Sequence, residues 1–323
     1  MRRLVVSDPT GTLRVEDTLE RVGVPADDTA PAVSSRGERI AAYVALTKPR
    51  IIELLLVTTV PSMIVAARGW PPATLVLYTL IGGTLVAGGA NAINCYLDRD
   101  IDEVMPRTRK RPLPMHKVEP RAALVFGSAL GTGGFAFLSL MVNLPAALLA
   151  TSALLFYVFV YTIGLKRSTP QNIVIGGAAG AVPVLVGWSA VTGRVDLPAL
   201  ALFAIVFYWT PPHFWALAMR YEKDYAAARV PMMPVVYGRE ETTRHILLYS
   251  FMLLAMCLAF FSVAQMGVLF LAVTVLLNGI FIWWAVRLRR NPTPRIAWGL
   301  FRFSIYYLAL LFTAAAADQI LRI

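Results

Sequence analysis

Asn94, Asp98 and Asp102 close a long apolar run, and their i, i+4, i+8 spacing sets them along one face of a helix. Two carboxylates and a carboxamide in a row form an oxygen-rich site for a hard divalent cation such as Mg²⁺. A basic loop follows at once, with Arg107, Arg109, Lys110 and Arg111. Guanidinium groups suit bidentate contact with phosphate oxygens, so the pattern reads as a metal-bound diphosphate clamped by arginines. The plainer reading is a solvated helix end whose aspartates pair with Arg99 and the arginines beyond. Acidic side chains at the end of a membrane segment are costly and usually functional, which favours the chemical reading.

A second acidic stretch, Tyr221-Glu222-Lys223-Asp224-Tyr225, lies far along the chain. Glu222 and Asp224 again place carboxylates at a helix end. If both stretches face the same side, two metal sites result, each offsetting charge on a leaving diphosphate. His213 follows the Pro211-Pro212 pair. A single histidine in an apolar helix is ordinarily a hydrogen-bonded core residue, but it can also bind a metal or an anionic group. Tyr157, Tyr161, Tyr208, Trp209, Phe214 and Trp215 supply aromatic faces, either for packing or for shielding a carbocation.

These residues sit in a chain of 323 residues, 57% hydrophobic and 15% charged. A soluble domain carries about 25% charged residues. Apolar stretches of bilayer-crossing length recur at 51–68, 73–97, 121–142, 145–165, 172–193, 197–219, 246–264, 267–286 and 297–317. They lack the alternating polarity of a membrane barrel. The fold class is therefore an all-α polytopic membrane protein with nine transmembrane helices. The formal net charge of +11 does not signal nucleic acid. Its lysines and arginines gather at alternate ends of the spans, and only Arg68, Arg194 and Arg322 fall on the other side. The positive-inside rule then predicts a cytoplasmic N-terminus and an outside C-terminus. The two longest connections, 98–121 and 220–245, both face the cytoplasm, so the chemistry is expected there.

Residues 1–37 are expected to form a disordered cytoplasmic tail; they are too acidic for a transit peptide and carry no apolar signal core. Residues 38–50 read as an amphipathic interfacial helix, and 51–323 as the membrane domain. Cys95 and Cys257 form no metal or disulfide pattern. Gly82, Gly83, Gly88 and Gly89 on the second span, with Gly176, Gly177 and Gly180 on the fifth, predict close helix packing. The second and sixth spans both end in acidic loops, which hints at an internal duplication.

Three stretches together resemble the UbiA superfamily of intramembrane prenyltransferases over about residues 40–320. They are Asn91–Pro114, Leu165–Gly177 and Trp209–Ala218. Similarity is closer to the branch that farnesylates haem. The resemblance implies a UbiA-like bundle opening to the cytoplasmic side of the bacterial inner membrane. It implies Mg²⁺ as cofactor and transfer of farnesyl from farnesyl diphosphate to a vinyl group of haem b. Water adds to give haem O and diphosphate. Asn94, Asp98 and Asp102 then hold the metal, with Glu222 and Asp224 as a second set. Lys166 lies near the diphosphate, and Arg107, Arg109 and Arg111 grip its oxygens. His213, Tyr161, Tyr221 and Tyr225 line the substrates, with His213 facing haem. Most superfamily members carry Asp-x3-Asp in the second loop, where this chain has Tyr221 and Tyr225. The same departure appears in the haem-farnesylating branch. Expected partners are the lipid bilayer and a haem A synthase or terminal oxidase assembly. Prenylation of an aromatic acid or another tetrapyrrole is the alternative; a transporter or a haem chaperone is a remote one.

Overall fold

The computed structural model describes residues 35–321, apart from the side chains of residues 50, 51 and 53–56. The expected tail lies outside the described residues except for its last three positions. Among the described residues there is no strand. In chain order the helices are α1 (Arg36–Leu46), α2 (Pro49–Ala67), α3 (Ala73–Leu97), α4 (Arg99–Val104), α5 (Pro120–Met141) and α6 (Leu144–Leu155, running on as a π-helix through Phe156–Leu165). Then follow α7 (Asn172–Thr192), α8 (Leu197–Arg220), α9 (Glu222–Ala227), α10 (Met233–Val236), α11 (Gly238–Val263), α12 (Val268–Arg290) and α13 (Pro294–Leu321).

Eight of these, counting α6 with its π segment, are long and apolar enough to cross a membrane. The ninth expected span is α2, of 19 residues, whose described apolar stretch is Val57–Ala67. The chain is thus a multi-pass membrane protein. Several helices outrun the expected spans. α11 starts at Gly238, not 246, because its first turns carry Glu240, Glu241 and Arg244. Hydropathy marks where a helix meets lipid, and a helix continues past that point wherever its backbone bonds are satisfied. α1 starts two residues before its expected place, on a capping box in which the Ser35 hydroxyl accepts from the Glu38 N–H at 3.2 Å and the Glu38 carboxylate accepts from the Ser35 N–H at 3.0 Å.

Packing is close where side chains are absent. A Cβ on Gly89 of α3 would meet the Gly127 carbonyl of α5 at 2.6 Å and the Gly131 nitrogen at 2.7 Å. α8 packs on α11 and α7, and α13 lies against α8, α12 and α2. Trp215, Phe260, Phe270, Phe281, Tyr307 and Phe312 fill the centre of this second group with almost no exposure. The small helices α4, α9 and α10 and the connection 105–119 gather at the end of the bundle where α3 and α8 finish.

Candidate active site

α3 stops at Leu97, and Asp98 alone joins it to α4, at φ −94° and ψ 6°. The Asp98 N–H donates to the Asn94 carbonyl at 2.9 Å and the Asp102 N–H to the Asp98 carbonyl at 2.8 Å. Helical spacing therefore runs through the joint, although the three residues occupy α3, the hinge and α4. All are buried: Asn94 is 3% exposed, Asp98 0% and Asp102 3%.

Buried carboxylates need cationic or hydrogen-bonding partners. Lys166, at the end of the π segment, donates to Asp98 Oδ2, and Asn94 Nδ2 donates to the same atom at 2.7 Å. Arg167 Nη2 stands 3.9 Å from Oδ1. Oδ1 itself is buried without a hydrogen bond. Arg111 Nη1 contacts both Asp102 oxygens at 2.8 Å. Asn94 Nδ2 also donates to Thr162 Oγ1 at 3.1 Å, and Asn94 Oδ1 accepts from Lys48 Nζ at 2.6 Å.

Lys48 and Thr162 are the two site residues that sequence reasoning missed. Lys48 heads α2 with φ 54°, a left-handed conformation uncommon outside glycine, which fits its place at the joint between α1 and α2. Burial pulls its ammonium below the ordinary lysine value, with Arg111 and Lys166 adding to the effect. Its position at the head of the first span, on the same side as the basic loop, was the available signal. Thr162 had none. It reaches Asn94 because the π-helix adds a residue per turn: the Lys166 N–H bonds the Tyr161 carbonyl, five residues back, at 2.8 Å.

The π segment also stacks Tyr157 on Tyr161 at 5.4 Å between centroids. Tyr161 lies within electrostatic reach of both Asp98 and Tyr225. Tyr225 is 8% exposed and lies within electrostatic reach of Arg107 and Arg111. The Arg107 guanidinium sits 5.6 Å from the Tyr221 ring centroid. So Asn94, Asp98, Asp102, Arg107, Arg111, Tyr161, Lys166, Tyr221 and Tyr225 come together, drawn from three separate stretches of chain.

Other expected residues stand apart. Arg109 and Lys110 are exposed. Glu222 is committed to Arg239, whose Nε donates to it at 2.8 Å. Among the described residues no group of three or more His, Cys, Asp or Glu side chains converges on one point. The expected second metal set, Glu222 and Asp224, lies in the first turn of α9. The first set fits a hard cation, since Asp98 Oδ1 is a buried acceptor with no donor. Its two carboxylates leave most of a metal's coordination to substrate oxygens and water.

His213 lies in α8, buried between Trp209 and Phe301, with ring centroids at 4.3 and 4.6 Å. Its Nδ1 lies 2.6 Å from Ser304 Oγ. That hydroxyl also lies 2.6 Å from the Phe301 carbonyl, and donating there it accepts from the histidine. With the proton assigned in that way, His213 is the Nδ1–H tautomer and Nε2 is the acceptor.

The UbiA prenyltransferase family pattern matches residues 55–311. A protoheme IX farnesyltransferase of Parafrankia sp. (strain EAN1pec) is 52% identical over 307 residues, covering 92% of this chain and 97% of that protein. One from Frankia alni is 54% identical over 286 residues, covering 87% and 99%. Among solved structures, a digeranylgeranylglyceryl phosphate synthase superposes with a TM-score of 0.74 at 18% identity, over 88% of this chain and 99% of its own. A UbiA homologue from Archaeoglobus fulgidus bound to GPP and Mg²⁺ gives 0.62 at 17% identity, over 85% and 99%.

Proposed function

Since the chain belongs to the UbiA prenyltransferase family, we propose that it moves a farnesyl group from farnesyl diphosphate to a vinyl group of protohaem IX, with addition of water, to give haem O and diphosphate. The observation that carries this reading is the 52–54% identity, over nearly their full length, to proteins named for that activity. The site supports it from below: buried carboxylates, an orphaned carboxylate oxygen and a ring of lysines and arginines suit a metal-bound diphosphate.

Asp98 and Asp102, with Asn94, would hold a divalent ion, Mg²⁺ by the family's chemistry, and Asn94 braces Asp98. When bound, the ion would supply Lewis-acid stabilisation of charge on the leaving diphosphate. Lys48, Lys166, Arg107 and Arg111 bind the phosphate oxygens, Arg109 adding long-range attraction from its exposed position. As the bond between carbon 1 and oxygen breaks, its electron pair leaves with the diphosphate, and these fixed cations meet the charge as it grows. Tyr157 and Tyr161 shield the allylic cation with their ring faces. The vinyl carbon attacks carbon 1, and water adds to the resulting cation and loses a proton. The apolar bundle keeps water away until that step. His213 presents Nε2 to the haem. Both substrates are greasy, which explains a site at the end of a membrane bundle. The enzyme sits in the bacterial inner membrane with its N-terminus in the cytoplasm, α1 lies at the interface, and a haem A synthase or terminal oxidase takes the product.

Purified protein given farnesyl diphosphate and protohaem should yield a haem heavier by the mass of farnesol. Prenylation of 4-hydroxybenzoate with the haem untouched would overturn the assignment in favour of a sibling activity.

A further inference from the structure

The bundle builds one backbone device twice. A spanning helix, α3 or α8, ends in a single hinge residue, and a six-residue helix with an acidic first turn follows. The hinges are Asp98 at φ −94°, ψ 6° and Tyr221 at φ −107°, ψ 24°. In each case the N–H four residues on returns to the hinge carbonyl, from Asp102 at 2.8 Å and from Tyr225 at 3.1 Å. Asp98 and Asp102 in one copy thus correspond to Tyr221 and Tyr225 in the other.

The side chains do opposite things. The aspartates gather cations around buried carboxylates. Tyr221 lays its ring face against the Arg107 guanidinium at 5.6 Å, and the buried Tyr225 phenol lies within electrostatic reach of the same guanidinium. Burial holds the Tyr225 phenol above the ordinary tyrosine value, so it is neutral at physiological pH. A neutral brace fixes the guanidinium without cancelling its charge. Among the described residues no carboxylate pairs with Arg107, and the nearby acid Glu222 is taken by Arg239.

We infer that the second copy presents a fixed guanidinium where the first presents a metal site: Arg107, positioned by Tyr221 and Tyr225, supplies the second cation, and the chain takes one divalent ion per bound prenyl diphosphate. This rests on the prenyl-diphosphate reading above. Arg107 is exposed on its free side and cannot lose its proton, and its planar fork matches two phosphate oxygens at once. Tyr221 and Tyr225 act through it and are positioning residues.

The test uses the full chain in lipid nanodiscs, Mn²⁺ as the spin-active ion and farnesyl thiolodiphosphate as an unreactive analogue. Equilibrium dialysis with electron paramagnetic resonance counts the ions held per analogue. One is expected, and Glu222→Gln should leave the count at one; two ions in the unaltered chain overturn the inference alone. Arg107→Gln should weaken analogue binding about tenfold, the scale of a lost charge-assisted bond, at an unchanged count. Unchanged affinity in that variant also overturns it. The pair Tyr221→Asp and Tyr225→Asp should raise the count to two, a gain that no merely structural role produces; a folded double variant that still holds one ion argues against the equivalence. Failure to retain the analogue under any condition removes the prenyl-diphosphate reading and the inference together.

Discussion

Asp98 has the least freedom of any residue in the site. It is fully buried, shares one oxygen between Lys166 and Asn94, and leaves the other without a donor. Asp98→Asn removes the charge and keeps the shape. Prenyl transfer should fall by about three orders of magnitude, on the scale of losing an electrostatic stabiliser of the transition state. Size-exclusion and circular dichroism should show a folded protein, and full activity would refute the metal role. His213 makes a second case. Its faces are covered by Trp209 and Phe301, so only the Nε2 edge is left for a ligand. His213→Ala should weaken protohaem binding about tenfold in a Soret titration, the worth of one good polar contact. Affinity for farnesyl thiolodiphosphate should stay as it was. Loss of both affinities together would mean that His213 serves the packing of α8 on α13 instead.

At the scale of helices, contact distance separates the glycines that the sequence presents as alike. Gly89 faces backbone of α5, whereas a Cβ on Gly83 of the same helix meets nothing within 4 Å. Backbone cannot turn aside as a flexible side chain does. Gly89→Ala should therefore cost about 2 kcal/mol by overpacking, and Gly83→Ala less than about 0.5 kcal/mol, read as thermal unfolding in detergent. Asp318 shows a different kind of support. Its carboxylate, on α13, accepts from the Gly267 N–H at 2.6 Å and the Phe270 N–H at 3.1 Å, and so caps α12 from another helix. Asp318→Ala should cost about 1–2 kcal/mol, as loss of a helix cap does. Sequence patterns carry some of this and not the rest. Apolar length marks each span because lipid demands it, and Asn94, Asp98 and Asp102 are legible because one helical period relates them. The Asp318 cap joins residues some fifty positions apart, and the π-helix that brings Thr162 to Asn94 has no periodic signature. Acidic composition at Glu222 and Asp224 does not say which cation a carboxylate meets, and Arg239 reaches Glu222 only in the fold.

For the molecule as a whole, the decisive property is that Lys48, the residues 94–111, Lys166 and the hinge at Tyr221 all meet at one end of the bundle. A diphosphate carries several negative charges and does not cross a bilayer unaided, so that end must face the compartment that supplies it. From charge placement we propose that this is the cytoplasm. Cysteine labelling can decide the matter cleanly, since Cys95 and Cys257 are both buried and neither reaches an aqueous reagent. Lys117 is exposed in the connection between α4 and α5, and Gln265 is exposed in the turn between α11 and α12. Lys117→Cys should react with an impermeant maleimide in inverted vesicles and resist it in spheroplasts. Gln265→Cys should do the reverse. If both patterns came out inverted, the cationic ring would open away from the cytoplasm, and a site built for a cytoplasmic diphosphate would be on the wrong side of the membrane to receive one.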